Sequence, residues 1–267
     1  MSTVRVNGID IHYEITDFCD PWRKPETVLL HHGFARNLNF WYRWVHALSR
    51  DYRVVSFDSR GCGESTLLPG NEQFSLDQFA ADAIGLLDAL DIERVHWAGE
   101  ASGGIVGIVA ACRYPQRIAS LTLSNTPIKI PQATNDVFVS AEVLQYGTGY
   151  WARKSTSNRL DVDKVPKEWI EWSIEQYDRI PPQVAIALHH MLEAADSLQL
   201  LPGIQAPTLI LASERSKIAR REEMEKMTRQ IPNGKLVVFE GYGQGITWMI
   251  PDQCVAEMKK FIDEIGR

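Results

Sequence analysis

One stretch constrains the fold more than any other: Val95-His96-Trp97-Ala98-Gly99-Glu100-Ala101-Ser102-Gly103-Gly104-Ile105-Val106. An apolar run passes into a glycine-bounded turn, then into small residues suited to a helix start. Glycine at 99, 103 and 104 removes the Cβ atoms that would collide where a strand feeds directly into a helix lying beside it. Gly99 stands two before position 101 and Gly103 two after it, so the register puts 101 at the tip. This spacing suits a strained strand-to-helix turn that lifts one side chain above a sheet. The residue lifted here is alanine, which has nothing to attack with. Centring the turn on Ser102 would instead put Glu100 in a packing position too tight for it. Ser102 is expected in the first helical turn, with its backbone N–H pointing at the site. In isolation the same letters also describe an ordinary tight βα turn.

The remaining chain supplies the context. Val4 to Val6 and Ile9 to Glu14 alternate with period two around Asn7-Gly8, a hairpin signal. Val28 to His32 is the continuous apolar run of a buried parallel strand, and it closes on Gly33-Phe34. The strand Tyr52 to Phe57 leads into the polar loop Asp58-Ser59-Arg60-Gly61-Cys62-Gly63-Glu64-Ser65, which reads as structural. Helical spacing follows Ser75, and Ile118 to Leu123 gives a further strand ending near Asn125. Strands alternating with amphipathic helices predict βαβ units and a doubly wound α/β domain, with ligands expected at the carboxyl ends of the strands.

From about Ile128 to Pro202 the alternation stops, and the segment becomes helical and aromatic. The expectation is a helical lid over residues 128–203, between core segments 1–127 and 204–267. The core resumes with the strand Pro207 to Ala212 and ends with Lys235 to Glu240, the loop Gly241-Tyr242-Gly243-Gln244-Gly245 and a C-terminal helix.

In order and spacing, His32-Gly33-Phe34, Asp58 to Ser65, Gly99 to Gly104 and Gly241 to Gly245 resemble the α/β-hydrolase family, most closely its lidded esterase and enol-lactonase-like branch. The resemblance implies a doubly wound, mostly parallel sheet with helices on both faces and a helical lid. It also implies a serine, acid and histidine in chain order: the serine attacks an acyl carbon and the histidine carries its proton. Backbone N–H groups of Phe34 and Ser102 would form the oxyanion hole. His32, Gly33, Asn125, Trp151, Trp172 and His190 would line the substrate pocket.

Onto the catalytic positions fall Ala101, Glu214 and Gln244. Glu214, at the end of the seventh strand, is the choice for the acid. The more usual spacing lands on Ser216, which carries no charge, and the alternative place after the sixth strand offers Asn125. Glutamine does not titrate and cannot act as a base, and no histidine follows His190.

Two readings stay open. In the first, the chain is an ester or lactone hydrolase acting on a largely apolar substrate through an acyl-enzyme, here in an inactive form lacking serine and histidine. In the second, alanine and glutamine are native, and the chain is a small-molecule binding protein or a cofactor-free lyase, isomerase or oxygenase using the pocket and oxyanion donors. The retained surroundings of position 101 favour the first; the loss of two catalytic residues favours the second. The net charge of −6 comes without long runs of either sign, which argues against nucleic-acid and membrane partners and leaves a small-molecule substrate or ligand. A homodimer stays open. Neither metal-ligand spacing nor a cofactor motif occurs, so no metal and no cofactor are expected. The four scattered cysteines and an N-terminus without a signal-peptide pattern place the expectation in the cytoplasm.

Overall fold

The computed structural model describes residues 2–67, 73–131 and 137–266, so residues 132–136 of the expected lid lie outside the described residues. Strand β1 (Ser2–Val6) pairs antiparallel with β2 (Ile9–Thr16). Val6 pairs with Ile9, leaving only Asn7 and Gly8 in the turn, both at positive φ (46° and 84°). That is the backbone a two-residue hairpin on right-twisted strands requires.

The sheet then runs β1-β2-β4-β3-β5-β6-β7-β8, with β2 antiparallel to β4 and every later pairing parallel. The central strands β3 (Thr27–His31), β5 (Val95–Glu100), β6 (Ile118–Ser124) and β7 (Thr208–Ser213) are covered on both faces, which is why they read as continuous apolar runs. Strand β4 is Arg53–Phe57, and β8 (Gly234–Phe239) closes the edge half-buried.

Alternation within each strand assigns the two layers. Val28 and Leu30 point to the side packed by α1 (Tyr42–Leu48) and the C-terminal helix, through Trp44, Met258 and Phe261. Leu29 and Trp97 point to the other side, packed by α2 (Leu76–Ala89) and α3 (Ser102–Arg113). Between β6 and β7 the described chain forms helices α4 (Ser140–Tyr146), α5 (Thr148–Lys154), α6 (Thr156–Arg159), α7 (Lys167–Asp178) and α8 (Pro182–Glu193). Among the described residues, no helix is long and apolar enough to cross a membrane.

The loop after β4 is a structural hub. Asp58 is buried and accepts from the Leu38 amide at 2.7 Å and the Glu64 amide at 2.9 Å, while its other contact is His12 Nδ1 at 2.8 Å. Arg60 grips Asp82 on α2 through two nitrogens at 2.8 and 2.9 Å. These bonds tie the loop to both layers and spend its charges inside the protein.

Candidate functional site

The loops leaving β3, β5, β7 and β8 converge beneath the lid. At the turn between β5 and α3, Ala101 has φ 49° and ψ −112°, a region that side chains with a Cβ rarely occupy. Its N–H donates to the Ser124 carbonyl on β6 at 3.0 Å. The glycines permit the packing: a Cβ on Gly103 would sit 2.2 Å from the His31 carbonyl oxygen. The strained turn is therefore fully built, with only a methyl group at its tip.

Gln244 is 3% exposed in the loop after β8. Its Oε1 accepts from Ser216 Oγ at 2.5 Å and from the Ala219 amide at 3.4 Å, and its Nε2 donates to the Asn125 carbonyl at 2.9 Å. The partners fix which end of the amide is which, because a backbone N–H can only donate and a carbonyl can only accept. Ser216 Oγ itself accepts from the amides of Ala219 at 2.9 Å and Ile218 at 3.2 Å. Asn125, with φ 42°, braces the same corner: its Oδ1 accepts from the Ser213 amide at 2.9 Å, and its Nδ2 donates to Ser213 Oγ at 2.9 Å and to the Gln244 carbonyl. This cluster contains no ionisable group.

Glu214 takes no part in it, which corrects the expectation for the acid. Its amide continues the sheet by donating to the Phe239 carbonyl, and its exposed carboxylate accepts from the Gly241 amide at 2.7 Å. The chain turns inward only afterwards, so the residue delivered to Gln244 is Ser216.

A cavity of about 80 Å³ lies above Ala101, with Phe34, Ser102, Gln244 and Trp151 in its wall. The lid adds Phe138, Tyr177, His189 and Leu192, with the His189 ring stacked on Phe138 at 4.1 Å. Burial holds His189 below the usual imidazole range. Two arginines and a glutamate supply the charged groups of the wall. Arg36 pairs with Glu100, donates through Nε to the Tyr177 hydroxyl, and lies 3.7 Å from the centre of the Trp248 ring. Burial raises the Glu100 carboxyl above its usual range, with Arg36 and Arg159 opposing. Arg159 donates to Ser155 Oγ at 3.0 Å and to the Ala152 carbonyl. Among the described residues, no group of three or more His, Cys, Asp or Glu is arranged to hold a metal ion.

Other expected pocket residues lie elsewhere. Trp172 packs against Phe40 at 5.0 Å beside Trp169, on the far side of Phe40 from the cavity-wall residue Tyr177, because α7 turns that face toward α1. His190 is exposed on an outer groove, one residue round the helix from His189, which takes the inward place. His32 and Gly33 border a smaller void of about 20 Å³ below Phe34. His32 Nε2 accepts from the Ser59 amide at 3.0 Å, so its Nδ1 carries the proton given to the Gly33 carbonyl at 2.8 Å. Burial lowers His32 to about 3 and His31 to about 4, leaving both as neutral supports of the loop. Asn125 supports Gln244 from behind and is not in the cavity wall.

Arg36, Arg159, Tyr177 and His189 were not singled out from the sequence. The available signals were a charge at the end of an apolar strand, at Glu100, and an arginine within an aromatic lid segment, at Arg159.

A sequence profile described as alpha/beta hydrolase fold matches residues 26–248. A "Putative carbamate hydrolase RutD" from Stutzerimonas stutzeri is 28% identical over 243 residues, covering 87% of this chain and 89% of that one. A 3-oxoadipate enol-lactonase from Acinetobacter baylyi is 27% identical over 217 residues, covering 80% of each chain. Among solved structures, the enol-lactonase from Burkholderia xenovorans superposes with a TM-score of 0.89 at 22% identity, covering 98% of this chain and 100% of that one.

Proposed function

The chain belongs to the α/β-hydrolase fold family, and from that premise we propose that it is a non-hydrolytic member, binding a small organic molecule above Ala101 without forming an acyl-enzyme. The observation that carries this reading is the neutral cluster of Ser216, Gln244 and Asn125. Acyl transfer by a triad needs an attacking oxygen, a group that takes up its proton and a carboxylate that orients that group. At the three corresponding places stand a methyl group, an amide and a hydroxyl. The amide and the hydroxyl satisfy each other, which is the arrangement of a stable polar brace rather than of a catalyst missing one part.

The remaining parts suit ligand binding. Amides of Phe34 and Ser102 beside Ala101 would hold a ligand oxygen, and such preorganised donors work without a nucleophile. Apolar lid side chains supply the opposite wall.

The strained turn at Ala101 favours a second reading, in which the chain is an ester or lactone hydrolase disabled by substitution. Ser216 weighs against it, since restoration then takes three changes rather than two. Stepwise replacement separates the readings on a panel of aryl esters and lactones: Ala101→Ser, then Gln244→His, then Ser216→Asp. The proposal expects the unaltered chain and the first two steps to stay at background, with any gain confined to the triple variant. Hydrolysis by the unaltered chain, or full activity in the double variant, would sink it.

A further inference from the structure

We propose that the cavity is a carboxylate site whose ligand is a short-chain organic acid paired with Arg159. This rests on the reading of the cavity as a ligand site. Arg159 is 7% exposed and lies in the cavity wall. It donates to Ser155 Oγ and the Ala152 carbonyl, both neutral, and lies 4.6 and 4.9 Å from the ring centres of Tyr177 and Trp151. Among the described residues, no carboxylate comes within ion-pair distance of it; the one in the same wall, Glu100, is paired with Arg36 through Oε2, and its Oε1 has no hydrogen-bond partner.

The charge count follows. Two guanidiniums and one carboxylate share a buried chamber, which leaves one positive charge without a counter-ion. A buried charge is costly unless paired, and a guanidinium does not relieve the cost by losing its proton. A ligand bearing a single negative charge brings the sum to zero. A planar carboxylate also matches the fork of a guanidinium better than a point charge does.

A second observation points the same way. The indole N–H of Trp151, in the same wall, has no acceptor within the protein. A buried donor normally finds one, and a carboxylate oxygen would serve. Size limits the rest of the ligand: the volume of about 80 Å³ is about half that of an engineered apolar cavity known to hold benzene. A chain of a few carbons against Phe138 and Leu192 fits that space.

The test is calorimetric titration of the unaltered chain with acetate, propionate and butyrate, each beside its primary amide. The expected result is at least one acid binding about tenfold or more tightly than its amide, the scale of one charge-assisted pairing. Arg159→Gln should remove about tenfold of the acid's affinity and leave the amide within about twofold, and Arg159→Lys should keep part of the preference. Equal binding of acid and amide, or acid binding untouched by Arg159→Gln, overturns the carboxylate assignment while the ligand-site reading stands. Failure of acids, amides and the matching alcohols alike overturns both. Should Arg159→Gln not fold, the comparison of acid with amide on the unaltered chain decides.

Discussion

Replacing Ala101 with glycine should make the protein more stable, against the usual direction of such a change. Ala101 holds φ 49° and ψ −112°, and a residue kept in a sparsely populated region costs about 1–3 kcal/mol. Glycine enters that region freely, so the strain is released. Against this stands the greater freedom of glycine in the unfolded chain, about 0.4–1 kcal/mol. The methyl group is only half-buried, so its loss removes little packing. The balance is a gain of about 1 kcal/mol, equivalent to about 2–4 °C in Tm for a chain of this size. Urea unfolding measures it as a rise in midpoint with the slope unchanged. Ala110, fully buried on α3, is the control: there the same exchange loses helix propensity and a buried methyl, together about 2 kcal/mol. If Ala101→Gly lowers the midpoint as Ala110→Gly does, the turn is not strained and the reasoning is refuted.

Acid should destabilise the fold through His31 and His32. Their folded values, about 4 and about 3 against 6.5, mean the unfolded chain binds protons first, so stability present above pH 6.5 is lost as pH falls toward those values. The two together approach a slope of about 2.7 kcal/mol per pH unit. Glu100 and Asp58, both raised, act in the opposite sense, with stability lost as pH rises through their folded values. Urea midpoints between about pH 7 and 5 give the slope; a flat profile contradicts the buried neutral histidines. Arg36→Met removes the guanidinium bonded to the buried Glu100 carboxylate and should cost about 3–5 kcal/mol, most of it recovered when Glu100→Met is added. A thermal denaturation cycle in which the double variant is no better than the single one removes the pair as the explanation. Ser216→Ala leaves Gln244 Oε1 with only the 3.4 Å contact to Ala219 and should cost about 1–3 kcal/mol, read as a lowered urea midpoint; an unchanged midpoint means the cluster braces nothing.

The sheet, the hairpin and the turn at Ala101 were legible in the sequence because each follows from local rules. Asn7-Gly8 dictates its turn, double burial dictates apolar runs, and the spacing of Gly99, Gly103 and Gly104 dictates how near α3 can approach β5. The site was legible only where flanking glycines mark the position, as Gly99 and Gly103 do for Ala101 and Gly243 and Gly245 do for Gln244. Choosing between Glu214 and Ser216 depends on which way the chain leaves β7, and that is set by the hydrogen bonds of Asn125, just past β6, and Phe239, at the end of β8. The lid was harder still. One position of rotation puts His189 inside and His190 outside, and Trp172 finds enough aromatic neighbours to pack away from the cavity. The pairing of Arg36 with Glu100 spans 64 residues, and no spacing rule announces it.

Intact-mass measurement of the unaltered chain after exposure to an activated acyl ester puts the absence of an acyl-enzyme to the most direct trial. Acyl transfer through this cavity would need a covalent adduct on a cavity residue, with Ser102 the only hydroxyl beside Ala101 in its sequence. The expected spectrum shows the unmodified mass throughout, with ester loss no faster than in buffer. An adduct that maps to Ser102, builds up and then decays with release of the acid would show that the chain does acyl transfer after all.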